Sequence, residues 1–250
     1  MKDYDEVVKS RYDRDDFSSS GILRNQYSII NNIGSRGFHK KFDVLRKFIK
    51  EIIVYSNKSF DGFSLCDCGC GTGSISRMCA EILGTPKNVC GFEFSQNRLN
   101  YCKSMNSNID YRFGNIVNDF PFSNTFDALL CFDVLSHIRK ESDIVASLKN
   151  LYYHTNVGGG LLWFEINAKT HFTNYEADTQ GYSPREMNHF AEYVGFKLVK
   201  FYGMFKRFKI FNKDYQTYYL ANRFPATVLE VIEKIIPGEH TTNIGFYIKQ

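Results

Sequence analysis

The residues best placed to do chemistry lie in one stretch, Leu65 to Ser76, LCDCGCGTGSIS. A short apolar run ends in Asp67 and then breaks into Gly69, Gly71 and Gly73. A strand that ends in glycines and runs into a helix lets the backbone approach a ligand closely. It also points the free amides of the helix N-terminus at that ligand. Glu93 follows 22 residues after Gly71, at the end of the next apolar run. A carboxylate there can accept hydrogen bonds from both hydroxyls of a ribose. The glycines alone leave the ligand open. NAD-binding turns look alike, with Ser74 as the third small residue, and so do generic phosphate turns.

The surrounding chain supplies elements that could position this turn. Phe63 to Cys68 reads as a strand, and Ser74 to Leu83 as a helix closed by Gly84 and Pro86. Asn88 to Glu93 is a second strand, and Ser95 caps a helix running to about Met105. Tyr111 to Phe113 is a third strand, ending at Gly114. Phe126 to Phe132, nearly all apolar, is a fourth, as a strand buried on both faces should be. A helix from Lys140 to Tyr153 leads to a fifth strand, Leu161 to Glu165. Ser183, Pro184 and Glu186 open a helix with a capping box. Phe196 to Tyr202 and Ile244 to Ile248 are the last two strands. Ahead of all this, Phe42, Leu45, Phe48, Ile49 and Ile52 recur at helical spacing within Phe38 to Val54. The rhythm predicts an α/β fold: a Rossmann-like, doubly wound, seven-stranded sheet with helices on both faces. The sheet is expected to be mostly parallel, with the last strand antiparallel. Residues 1–55 are expected as an N-terminal lead-in or cap, and 56–250 as the ligand-binding domain. Within it, 203–242 is expected as an insertion: a structural packing piece, a lid, or a surface for an anionic partner or membrane.

Composition narrows the classes. The net charge of +4 over 250 residues is weaker than the basic footprint of a duplex-binding domain. No run of about 18 apolar residues occurs, so no transmembrane helix is expected, and the charged start lacks a signal-peptide core. The seven cysteines all fall between Cys66 and Cys131, without zinc-finger spacing, and are expected as free buried thiols. That usage points to the cytoplasm.

Five segments in order carry a specific resemblance. They are DCGCGTG from Asp67, VCGFEFS from Val89, GNI from Gly114, FPFSNTFDALLCFDVLSHI from Phe120, and GGGLLWFEIN from Gly158. Together they resemble the successive motifs of class I S-adenosylmethionine (SAM)-dependent methyltransferases, most of all the branch acting on small molecules. The resemblance spans roughly Phe63 to Tyr202 and leaves the ends uncovered. It implies SAM as cofactor and S-adenosylhomocysteine as product. It also implies a role for each matching position. Gly69, Cys70, Gly71 and Gly73 would surround the methionine moiety, with Asp67 ordering the turn. Glu93 would bind the ribose and Phe94 would pack on the adenine. Gly114, Asn115 and Ile116 would meet the adenine edge and face. Asn115 stands where the family more often has aspartate; its amide oxygen can still accept from the adenine amine. Phe132 and Asp133 would face the sulfonium and methyl.

The acceptor side is less legible. Methyl transfer from a sulfonium is an in-line displacement, and a hydroxyl acceptor sometimes needs a base. His137 is the base candidate, since imidazoles ordinarily titrate near neutrality. The alternative is a histidine that fixes the turn after the fourth strand. One of Arg24, Arg36, Lys40 and Lys41 could reach the cofactor carboxylate, or all could be solvated. Glu165 and Asn167 end the fifth strand and point toward the cleft by position. With Asp133 they hold too few oxygen donors for a magnesium site, so no metal is expected. His171, Tyr175, Glu176 and Tyr182 follow in a loop of the kind that builds acceptor sites. The tetrad used for amine methylation of DNA bases is missing, and no proline precedes Cys131, so DNA is not expected as substrate. The expected acceptor is a small molecule methylated on a hydroxyl, such as a sugar, lipid or secondary metabolite. The alternatives are N-methylation of an amino sugar, tRNA or protein, and a non-catalytic SAM-binding regulator.

Overall fold

The computed structural model describes residues 29–167, 181–210 and 213–250. Helix α1 (Asn32–Ser56) starts six residues before the apolar periodicity does, because the Asn31 side chain accepts from Gly34 N and caps it. It stops at Asn57, which is left-handed with φ 52°. Then come β1 (Leu65–Cys68), α2 (Ser74–Leu83), β2 (Val89–Glu93), α3 (Gln96–Met105), β3 (Asp110–Phe113) and β4 (Phe126–Phe132). They are followed by α4 (Glu141–Tyr153), β5 (Thr155–Ile166), α5 (Pro184–Val194), β6 (Phe196–Ile210), β7 (Lys213–Gln216), α6 (Ala226–Ile235) and β8 (Glu239–Lys249). The caps expected at Ser95 and Ser183 form, the second as a complete capping box with Glu186.

The strands make one sheet in the order β3-β2-β1-β4-β5-β8-β6-β7. Strands β1 to β5 pair in parallel, and β8 lies antiparallel between β5 and β6. Strand order reverses between β1 and β4, which creates a crevice at their carboxyl ends. Side chains alternate across the sheet into two cores. Leu65, Leu130, Leu162 and Phe164 meet α1, α2 and α3 on one face. Cys66, Leu129, Cys131 and Trp163 meet α4 and α5 on the other. All seven cysteines are buried free thiols.

The sheet has eight strands rather than seven. Strand β6 runs on past Tyr202 to Ile210 and turns back into β7, so the stretch from Gly203 is sheet before it is helix. Its charged residues masked the pattern: the added strand is an edge, where one row of side chains faces solvent. Likewise β8 begins at Glu239, five residues before its apolar run.

Helices α1 and α6 are joined by a buried ion network. Glu233 accepts from Arg36 Nη2 at 2.8 Å and from Lys40, and the Thr217 hydroxyl donates to it as well. Arg36 is 5% exposed, and its other amine donates to the Ala226 carbonyl. Removing one partner of a buried pair leaves the other charge uncompensated. Glu233→Ala should therefore destabilise the fold by about 3 kcal/mol in urea unfolding. Glu233→Gln, which keeps an acceptor oxygen, should cost clearly less.

Candidate cofactor-binding site

The glycine turn is anchored to the neighbouring strand. The amides of Gly69 and Cys70 both donate to the Phe92 carbonyl at 2.9 Å, and Gly73 N donates to Cys70 O at 2.8 Å. Gly69, Gly71 and Gly73 are all left-handed, with φ of 75°, 55° and 73°. Their surroundings differ. A Cβ on Gly69 would lie 2.7 Å from a methyl of Val134, and one on Gly73 would lie 2.7 Å from the Tyr111 hydroxyl. A Cβ on Gly71 would meet only the flexible Arg98 head group, at 3.7 Å.

Carboxylates at strand ends hold the turns that follow them. Asp67 is buried at the end of β1, and its Oδ2 accepts from the Ser76 hydroxyl in α2 at 2.6 Å. Burial pushes its carboxyl up to about 7. Glu93 ends β2 and is equally buried. Its Oε2 accepts from Gly71 N at 2.8 Å, and its Oε1 accepts from Phe94 N and Ser95 N at 2.9 Å each. A carboxylate offers about four acceptor positions, so three backbone amides leave about one for a ligand hydroxyl. Burial raises the Glu93 carboxyl, and these amides oppose the rise.

The loop after β3 is equally constrained. A Cβ on Gly114 would come within 2.7 Å of the Asp119 carbonyl and the Pro121 ring. Asn115 and Asp119 exchange backbone hydrogen bonds, and Asn115 Oδ1 accepts from Val117 N at 2.9 Å. From α4, Asn150 donates to the carbonyls of Ile116 and Val117 at 2.9 Å. Nothing in the spacing of the sequence marked Asn150.

The turn after β4 depends on Glu165, which is fully buried. Its Oε1 accepts from Val134 N at 2.8 Å and from Leu135 N at 2.7 Å. The carboxyl therefore supports the turn from beneath instead of pointing into the cleft. Burial, and next the charge of Asp133, push it up to about 8. Asp133 is left-handed, with φ 54°. His137 closes the short 3-10 turn Leu135–His137 that follows. Tyr182 is buried, and its hydroxyl donates to the Ile138 carbonyl, so it too braces this turn. Asn167 donates to the His240 carbonyl at 2.7 Å.

A pocket of about 240 Å³ opens among these turns. It is lined by the sequence-named Gly69, Phe94, Gly114, Asn115, Ile116 and His137, together with Phe92, Val117, Val134, Ile138, Arg139, Lys140 and Asp143. Asp67, Cys70, Gly71, Gly73 and Glu93 do not line it and lie in the adjoining strand ends and turn. Phe132 and Asp133 end β4 beside it, with Phe132 stacked on Phe164 at 4.5 Å. Of the α1 cations, Arg36 and Lys40 are engaged by Glu233, whereas the Lys41 amine lies 5.3 Å over the Phe164 ring. Arg24, His171, Tyr175 and Glu176 lie outside the described residues.

Two changes test this geometry. Gly69→Ala forces a Cβ against Val134 in addition to a left-handed backbone, whereas Gly71→Ala carries only the backbone penalty of about 1–2 kcal/mol. Gly69→Ala should lower the melting temperature more, and Gly71→Ala should fold. The second test is pH. Glu165 keeps its proton in the fold up to about 8, against an unfolded value of about 4.3. Its contribution to stability is therefore full below about pH 4.3 and is lost as pH rises toward 8. The Tm of Glu165→Gln minus that of wild type should rise from pH 5 to about 8 and then level off.

Three comparisons with known proteins bear on the fold and the family. Residues 65–159 match the family model of a methyltransferase domain. The chain is 26% identical over 119 residues to the mitochondrial ubiquinone biosynthesis O-methyltransferase of Schizosaccharomyces pombe, covering 46% of this chain and 43% of that protein. It is 26% identical over 153 residues to the dTDP-3-amino-3,6-dideoxy-alpha-D-glucopyranose N,N-dimethyltransferase of Streptomyces fradiae, covering 59% of this chain and 56% of that one. The chain thus spans about half the length of these relatives. Among solved structures, the magnesium protoporphyrin IX methyltransferase of Synechocystis PCC 6803, crystallised with bound SAM, superposes with a TM-score of 0.61 at 13% identity over 100% of this chain and 99% of that one. The chain therefore has the fold of class I SAM-dependent methyltransferases, and its residues 65–159 are similar to a methyltransferase domain.

Proposed function

We propose that this protein is a SAM-dependent methyltransferase acting on a small-molecule acceptor, with a hydroxyl as the accepting group. The observation that carries the reading is the pocket at the strand-order reversal. There a left-handed glycine turn and the Phe94, Asn115 and Ile116 side of the site meet at one opening. The lining suits the cofactor: Phe92, Phe94, Ile116 and Ile138 give apolar walls for a purine, with the Asn115 amide among them.

When bound, SAM supplies an electrophilic methyl group on a sulfonium. The chain supplies position and charge. Phe94 and Ile116 offer apolar surface for a purine, and Asn115 offers an amide at its edge. Glu93 offers its remaining acceptor position to a ribose hydroxyl while holding Gly71 in place. Lys41, on helix α1 beside the Phe132–Phe164 stack, is the best-placed cation for a carboxylate. Asp133, at the end of β4, contributes negative charge near the reacting end. His137 lines the pocket and would accept the proton of the acceptor hydroxyl at an imidazole nitrogen.

Transfer to the amine of an amino sugar is the second reading. It is supported by the Streptomyces fradiae relative, which aligns with more of this chain than the O-methyltransferase does. Two measurements decide. In titration calorimetry, SAM and S-adenosylhomocysteine should bind and NAD should not; NAD binding without SAM binding refutes the reading. With labelled methyl and a metabolite extract, His137→Ala should lower turnover by about 10²-fold or more at unchanged SAM affinity if the acceptor is a hydroxyl. Near-full turnover removes the base role and favours an amine. Binding without any transfer leaves a SAM-binding regulator.

A further inference from the structure

Helix α6 is the most apolar of the described helices, yet it buries least: only Leu229 of its ten residues is buried. Glu233 points inward to Arg36 and Lys40. Val228, Val231 and Ile235 recur at i, i+3 and i+7, so they form one stripe. They are 41%, 55% and 71% exposed, and Phe224, just before the helix, is exposed as well.

Charge and area indicate what covers this stripe. Glu233 is neutralised inside the fold, which leaves Glu230 as the helix's one outward acid. Against it stand Lys234 on the helix and Arg223 just ahead of it, both exposed. The neighbouring β6–β7 edge adds exposed Lys209 and Lys213, and it is tied to the helix end by Lys206, whose amine donates to the Ile236 carbonyl. A stripe of three side chains falls well short of the roughly 800 Å² per partner of a stable protein interface. An interfacial helix needs only shallow burial of an apolar face with basic groups beside it.

We propose that α6 docks this chain onto an anionic lipid surface. The same helix α1 that holds α6 through Arg36 and Lys40 places Lys41 over Phe164, near the carboxyl ends of the strands. Docking through α6 therefore turns the end of the molecule that carries the candidate site toward the bilayer. The inference does not depend on which cofactor the pocket binds.

The test is sedimentation with vesicles of phosphatidylcholine alone, or of phosphatidylcholine with about one third phosphatidylglycerol. Wild type should bind the anionic vesicles at least about tenfold more strongly, and binding should fall at about 0.5 M salt. The double variant Val231→Asp, Ile235→Asp should lose binding on the order of tenfold. Its thermal melt should be unchanged, because both side chains are exposed. Lys234→Glu should weaken binding and make the dependence on lipid charge shallower. Failure to bind anionic vesicles, equal binding to both, or full binding by the double variant overturns the proposal. A concentration-dependent dimer in sedimentation velocity that the double variant abolishes also overturns it, and assigns the stripe to a second copy of the chain.

Discussion

Every turn at the carboxyl edge of this sheet faces the same constraint: its backbone amides leave the ladder and must find acceptors without water. In the turns after β1, β2 and β4, carboxylates at or just inside strand ends meet it in part. Glu93 takes amides from both the glycine turn and its own following turn, so one side chain fixes two loops that meet at the pocket. Glu165 does the same for Val134 and Leu135, and Asp67 ties β1 to α2 through Ser76. An unmet buried amide costs as much as a lost hydrogen bond, so these acceptors determine where the loops sit. The ligand-facing geometry follows from an internal structural need.

This constraint also explains what the sequence revealed. The parallel strands β1, β2 and β4 and their helices were legible, because strands buried on both faces read as continuous apolar runs and helix ends carry Ser, Gly and Pro signals. The glycine turn was legible for a similar reason: left-handed backbone restricts residue choice at Gly69, Gly71 and Gly73. Strand β7, the edge, and the second half of β6 were not, since Lys206, Arg207, Lys209 and Lys213 interrupt the apolar residues there and resemble a charged loop. Glu165 was placed at the cleft because strand position alone cannot tell which sheet face a carboxylate serves or what amides wait there. Tyr182 and Asn150 bind carbonyls of turns distant in sequence, contacts that no local pattern encodes.

The buried carboxyls also shape the electrostatics around the pocket. Asp67 and Glu165 favour their protonated forms through burial, so the floor of the site carries less negative charge than its composition implies. Burial raises Glu93 in the same direction, with its amide partners opposing the rise. Lys41 places its amine over the face of the Phe164 ring, a cation–π contact.

Strand β8 sits in the interior of the sheet although it is the last strand in sequence. It pairs with β5 on one side and β6 on the other, and those two do not pair with each other. As the chain is synthesised, β1 to β5 can assemble first, while β6 and β7 wait with no partner sheet to join. Their attachment to β5 requires β8, which pairs with β6 on one side and with the earlier β5 on the other. Loop closure over such separations is slow. The rate-limiting event of folding is thus expected to be insertion of this keystone strand, with the half that carries the glycine turn already formed.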